Sequence, residues 1–100
     1  MLVSFSVAPT TGDDSGSVHL AVAAAVKVVR SSGLPNHTDA MFTTIEGEWN
    51  EVFNVIKRAT EAVQHFSPRV SLVLKADIRP GYTDQLTAKV ERVEQALAEG

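Results

Sequence analysis

MFTTIEGEWNEVF (residues 41–53) contains the end of a predicted strand, a break and the start of a predicted helix. The residues before Gly47 are β-prone, with a phenylalanine, two threonines and an isoleucine in succession. After the glycine, Trp49, Val52 and Ile56 recur at the spacing of an amphipathic helix. The stretch therefore predicts a strand that leads directly into a helix, with Trp49 in the core.

Strand patterns also occur on both sides of this stretch. Leu2–Ala8 alternates in apolar character with the period of a half-buried strand. Residues 36–46 are too long for one average strand, so we predict two short strands with a turn between Asp39 and Phe42. Pro68 precedes a further strand, whose predicted core face consists of Val70, Leu72, Leu74, Ala76 and Ile78.

Two further helices accompany these strands. Ser17 is a suitable N-cap for a helix over Val18–Arg30, which is mostly alanine and valine. A helix that is apolar around its circumference is usually covered on more than one side, so this one indicates an oligomer. The last helix follows a cap at Thr83 or Asp84, and its apolar seam consists of Leu86, Val90, Val93 and Leu97.

The predicted order is β-α-β-β-α-β followed by a C-terminal helix, in a single domain of residues 1–100. This order is typical of an α+β ferredoxin-like sandwich, in which two helices cover one face of a four-stranded antiparallel sheet. The other face is then free for water, a ligand or another subunit. Alternation places a mostly polar set on this open face: Ser4, Ser6, Thr44, Glu46, Ser71, Val73 and Lys75.

Composition narrows the class of partner. The net charge of −3 argues against a nucleic-acid binder, which needs a basic surface to neutralise phosphates. The first residues lack the basic start and long apolar run of a signal peptide, and the most apolar stretch is too short to span a membrane. The chain contains no cysteine, which suits a reducing compartment. We therefore expect a cytoplasmic protein with neither nucleic acid nor membrane as its partner.

The residue patterns of common catalytic and metal sites are missing from the sequence. The histidines His19, His37 and His65 show no metal-ligand spacing, and Asp13 with Asp14 is best interpreted as a solvated turn. No serine lies in a nucleophile motif, and cysteine is absent. We therefore predict no catalytic residue, no metal and no enzyme activity. His37 is the histidine most open to a ligand contact, because it lies on a predicted strand beside residues 41–53.

The acidic residues around Gly47 divide into two groups. Glu48 and Glu51 lie in the first turn of the predicted helix, where the helix dipole favours a carboxylate. Glu46 lies on the open sheet face if Ile45 points to the core. An acid at that position is either solvated at an edge or retained to receive a hydrogen-bond donor, and spacing alone leaves both alternatives open.

Nearly the whole chain resembles the small thiamine-binding protein family. The segments that carry this resemblance are VSFSVAP, SSGLPNHTDAMFTTIEGEWNEV, LKADIRPG and KVERVEQAL, and TTIEGEWNEV is the most specific of them. The resemblance implies a non-catalytic binder of thiamine or its hydroxymethylpyrimidine part, acting in salvage, storage or sensing. It also implies a homo-oligomer, a dimer or tetramer, with the ligand near subunit interfaces and no further cofactor.

The resemblance also implies a binding site. In it, the Glu46 carboxylate accepts a hydrogen bond from the exocyclic amine of the pyrimidine, and Thr44 and Ser6 supply hydroxyl groups. Met41, Phe5 or Trp49 offers a surface for the flat ring. The predicted ligand-binding residues are Glu46, Thr44, Ser6, Met41, His37 and Asn36.

One feature of the sequence leaves the identity of the ligand open. Phe42 stands where the family more often has glycine, and its side chain would reshape the pocket. The alternative function is a structural or regulatory oligomerisation module that uses the open sheet face and has no small-molecule ligand. In that case Glu46 would be buried against a donor from the protein.

Overall fold

The computed structural model describes residues 1–10 and 18–99. The predicted Ser17 cap and the Asp13–Asp14 turn lie outside the described residues. The described residues form four strands and three helices, in the order β1 (Leu2–Pro9), α1 (Val18–Ser31), β2 (Asn36–Thr38), β3 (Thr43–Glu46), α2 (Trp49–Gln64), β4 (Val70–Asp77) and α3 (Gln85–Glu99).

The strands form one antiparallel sheet in the order β2-β3-β1-β4. In this register Ser4 lies opposite Thr44 on one side and opposite Lys75 on the other. Leu2 likewise lies opposite Glu46 and Asp77. The predicted ferredoxin-like sandwich with an additional C-terminal helix is confirmed, and so is the placement of Thr44 and Glu46 on the open face.

The core lies between the sheet and the helices α1 and α2. Alternation along β1 buries Val3, Phe5 and Val7, and Ile45 of β3 is fully buried beside them. Because its buried residues are small, α1 can approach α2 and the sheet closely. The helices contribute Ala21, Ala25, Val29, Val52, Val55, Ile56, Ala59 and Val63 to this core.

The start of α2 is set by Gly47 and two acids. A side chain at Gly47 would lie only 3.2 Å from Val52 and 3.3 Å from Leu34, so a glycine relieves crowding here. Glu48 occupies the N-cap position, and its backbone N–H donates to Oε1 of Glu51 at 3.2 Å. This confirms that these two acids lie at the helix start.

The predicted core position of Trp49 is wrong. Trp49 is 54% exposed, because it is the first residue of α2 and precedes the buried stripe that begins at Val52. Its ring lies against Phe53, with the ring centroids 5.2 Å apart. Helical spacing shows that Trp49 lies on the apolar face of α2. It does not show how far along the helix that face is covered.

The predicted core face of β4 is also only partly buried. Val70 and Ala76 are half-buried, whereas Leu72 is 40% exposed and Leu74 is 37% exposed. The strand lies at the edge of the sheet, where α2 covers little of it. Ile78, which follows the strand, is exposed.

Two helices carry apolar residues that one chain does not cover. The outer residues of α1, such as Leu20, are exposed, so the burial predicted for more than one side is not found within the single chain. Most of the seam of α3 is exposed, with Val90 and Val93 each 59% and Leu97 70% exposed, while Leu86 is half-buried. Among the described residues, no helix is long and apolar enough to cross a bilayer.

Candidate functional site

A groove of about 720 Å³ lies between the open sheet face and one side of α3. Three of the predicted ligand-binding residues, Asn36, His37 and Thr44, line it from the sheet. The remaining lining residues are Leu2 and Asp39 from the sheet side and Gln85, Leu86, Thr87, Lys89, Val90 and Glu91 from α3.

The strand register brings the sheet residues of the groove together. His37 lies directly opposite Thr44 across β2 and β3, so both side chains point to the open face. The Thr44 hydroxyl hydrogen-bonds the Ser4 hydroxyl at 2.7 Å. Asn36 lies opposite the fully buried Ile45, so alternation directs its side chain to the face that the helices cover, where Nδ2 donates to the Leu34 carbonyl at 2.8 Å.

Glu46 lies beneath the α3 wall of the groove and is only 7% exposed. Its Oε2 accepts from the backbone N–H of Gln85 at 2.8 Å, and its Oε1 accepts from that of Leu86 at 3.2 Å. These amides belong to the first turn of α3, where a helix has donors without partners in its own backbone. The donors that Glu46 meets in this chain are therefore backbone groups.

The local cap predicted for α3 is replaced by this long-range contact. Asp84, which precedes the helix, has a φ of 58°, whereas an N-cap residue ordinarily has an extended backbone. The N–H groups of Gln85 and Leu86 donate to Glu46 instead. Neither Thr83 nor Asp84 is the cap of these two amides.

The turn predicted for residues 39–42 is found between β2 and β3, and its first residue, Asp39, lines the groove. Oδ1 of Asp39 accepts from the N–H groups of Met41 and Phe42 at 2.8 and 2.9 Å. These backbone donors, with a smaller effect from His37, hold the pKa of Asp39 below its usual value. Asp39 therefore presents a carboxylate at neutral pH.

Ser6 and Met41 lie away from the groove, in a smaller cavity of about 180 Å³ beside α1. Ser6 lies beyond the end of β3, which pairs with β1 only as far as Phe5. Met41 is 74% exposed at the turn, and Phe42 lines the same small cavity. The six predicted residues therefore do not converge on one place.

A second contact joins α3 to the sheet further along the helix. Lys89 forms an ion pair with Asp77 of β4, and this pair holds the pKa of Asp77 below its usual value. Arg92 donates to the side chain of Gln85 at 2.7 Å within α3. The sequence did not indicate that α3 forms a wall of the site, although Leu86 and Val90 had no predicted partner.

Metal binding has no support in the part of the chain that the structure describes. Residues 1–10 and 18–99 contain no group of three or more His, Cys, Asp or Glu that could hold a metal ion. The groove instead offers hydroxyl, amide, imidazole and carboxylate groups beside apolar side chains. That mixture is suited to a small organic ligand with polar edges.

Comparison with known proteins gives a consistent result. A family model described as "Thiamine-binding protein" matches residues 3–94. A UPF0045 protein of Mycobacterium bovis is 54% identical over 99 residues, which cover 97% of this chain and 94% of that protein.

Two solved structures share the fold. A hypothetical protein of Methanocaldococcus jannascii superposes with a TM-score of 0.81 at 27% identity, covering 93% of this chain and 94% of that chain. A Thermotoga maritima protein, described as a candidate thiamine biosynthesis/salvage protein, superposes with a TM-score of 0.75 at 26% identity. That match covers 90% of this chain and 96% of the other.

Proposed function

The chain belongs to the thiamine-binding protein family, and we propose that it binds thiamine or its hydroxymethylpyrimidine part without catalysing a reaction. The observation that carries this proposal is the groove between the open sheet face and α3. Its volume of about 720 Å³ lies within the usual range of small-molecule sites. The family is named for binding rather than for a reaction.

The lining of the groove matches the chemistry of an aminopyrimidine. The ring presents an amine that donates and nitrogens that accept, and the Thr44 hydroxyl can serve either. His37 offers a further polar side chain on the same side of the groove. Leu86 and Val90 supply apolar surface for the ring from α3.

The thiazolium of thiamine carries a positive charge, and the groove contains two acids that suit it. Asp39 lies at the turn, and its lowered pKa keeps it ionised at neutral pH. Glu91 lies on the α3 side. Lys89 also lines the groove, but its charge is paired with Asp77, so attraction between the two groove carboxylates and the cation favours thiamine over a neutral molecule of the same shape.

The predicted residues take different roles in this proposal. His37 and Thr44 contact the ligand directly, whereas contact by Asn36, which lines the groove from the edge strand, stays a prediction. Ser6 and Met41 stay predictions for the smaller cavity, where Phe42 limits the space. The direct contact between Glu46 and the ligand amine also stays a prediction.

We further propose that the protein acts as a homo-oligomer, a dimer or tetramer. The exposed seam of α3 and the free edge of β4 are both apolar surfaces that a second copy would cover. Leu86 and Val90 belong to the seam and to the groove, so a copy seated on α3 would also enclose the ligand. The proposed setting is the cytoplasm, in salvage, storage or sensing of the vitamin.

Isothermal titration with thiamine and with hydroxymethylpyrimidine tests the proposed function. We expect the parent protein to release or absorb heat until its binding sites are saturated with ligand. The Thr44→Val variant should bind the same ligand more weakly. Thr60→Val is the matched control, because it makes the same chemical change on α2, where the hydroxyl donates to Ile56. Absence of heat at millimolar ligand would contradict the proposal.

The second candidate function is an oligomerisation module without a small-molecule ligand. The occupied Glu46 carboxylate favours it, because both oxygens already accept from the protein. This alternative predicts that the protein forms a stable oligomer and that titration with thiamine or hydroxymethylpyrimidine gives no heat of binding.

A further inference from the structure

We propose that Glu46 is a positioning residue for the groove, which holds the first turn of α3 against the sheet and thereby sets the α3 wall. This inference rests on the proposed function for its consequence in binding. It differs from the direct ligand contact predicted for the same carboxylate.

The body of α3 has little other attachment to the domain. No described residue of α3 is buried, and its apolar seam points away from the core. The ion pair between Lys89 and Asp77 is half-exposed, and such pairs stabilise weakly. The two hydrogen bonds to Glu46 are therefore the main polar contacts that fix the start of the helix.

Glu46 itself is held rigidly enough for this role. It ends β3 next to the fully buried Ile45 and is paired with Leu2 of β1. The next residue, Gly47, exchanges backbone hydrogen bonds with Met1 at 3.0 and 3.2 Å. A fixed carboxylate at the positive end of a helix gives charge-assisted hydrogen bonds of good strength.

The same first turn lines the groove. Gln85 and Leu86, whose amides contact Glu46, are both groove residues, whereas Glu46 lies below them and is not part of the lining. If α3 moves away, its six groove residues leave with it. The apparent affinity then falls in proportion to the fraction of molecules in which α3 is docked.

Amide hydrogen exchange of the ligand-free protein tests the anchoring directly. Glu46→Gln keeps the side-chain size but removes the charge and one of the two acceptors. We expect the amides of Gln85 and Leu86 to exchange about tenfold faster in this variant, the effect of losing one charge-assisted hydrogen bond. Glu48→Gln, an exposed acid two residues further on, is the control and should change neither rate. Unchanged exchange in Glu46→Gln would overturn the inference.

A cross-link separates positioning from direct contact. The chain has no cysteine, so Asp77→Cys/Lys89→Cys can be joined specifically by a short bifunctional thiol reagent at a point where the two side chains already meet. Thiamine affinity is then measured with and without Glu46→Gln, before and after cross-linking. We expect a loss of about tenfold before cross-linking and less than about twofold after it, because the tether replaces the anchor.

An equal loss before and after cross-linking would show that Glu46 contacts thiamine itself, and the positioning role in binding would be wrong. If the parent protein binds no thiamine, the proposed function is wrong, and the role in binding is wrong with it. The exchange rates of the ligand-free protein still decide in that case whether Glu46 anchors α3.

Discussion

The substitution Val93→Lys on α3 should dissociate the homo-oligomer. Val93 lies in the middle of the apolar seam and is 59% exposed in the single chain. A second copy packed along this seam would bury it, and a lysine there would bring an unpaired charge into the contact. Lysine is a good helix former, so α3 itself should persist.

The expected loss of dimer stability follows from the exposed fraction of Val93. Complete burial of a valine side chain is worth about 1.5–3 kcal/mol, so the remaining 59% corresponds to about 1–2 kcal/mol in each protomer. A twofold interface contains the residue twice, which gives a loss of about 2–4 kcal/mol before any cost of the charge. The dimer dissociation constant should therefore rise by about 30- to 700-fold.

Sedimentation velocity over a series of micromolar concentrations measures this change. Gln95→Lys is the matched control, because it introduces the same residue on the other side of α3 and should leave assembly as it is. The reasoning is refuted if the parent protein is monomeric throughout, or if Val93→Lys assembles as the parent does.

The remaining predictions concern stability and the attachment of α3. Ile45→Ala should lower the free energy of unfolding in urea by about 2–5 kcal/mol, because Ile45 is fully buried, whereas the exposed Ile78→Ala should cost less than about 1 kcal/mol. Thr44→Val should cost about 1 kcal/mol in the same assay through loss of its hydrogen bond to β1, and a neutral result would show that this bond is dispensable. The ion pair of Asp77 with Lys89 should stabilise α3 at neutral pH and be lost in acid. The pKa of Asp77 is lowered by Lys89, so this stabilisation is present above the ordinary value of 3.8 and is lost as the pH falls below it. Amide hydrogen exchange of α3, measured from neutral pH into acid, reports this stabilisation. The Asp77→Asn variant should show no such pH dependence.

Local patterns were sufficient for most of the fold. The alternation along β1 and the break at Gly47 each depend on neighbouring residues only, and both are found as predicted. Trp49 was misplaced because a periodic stripe shows which face is apolar but not where the partner surface ends. The exposure of Leu72 and Leu74 has the same origin, since strand order decides which strand lies at an edge.

The candidate site was less accessible to sequence reasoning. Register brings His37 and Thr44 together, and alternation predicts their common face. The contact of Glu46 with α3 joins residues that are 39 and 40 positions apart in the chain, and no local signal encodes it. Alternation and the family resemblance grouped Ser6 with Thr44, although β3 is too short to reach Ser6.

A crystal structure of the protein with thiamine bound is the most direct test of the proposed binding site. We predict that the pyrimidine ring lies in the groove between the sheet and α3, with a polar atom within hydrogen-bond distance of the Thr44 hydroxyl. Thiamine in the smaller cavity beside Met41, or a groove that stays empty at saturating thiamine, would show that the groove is not the thiamine site.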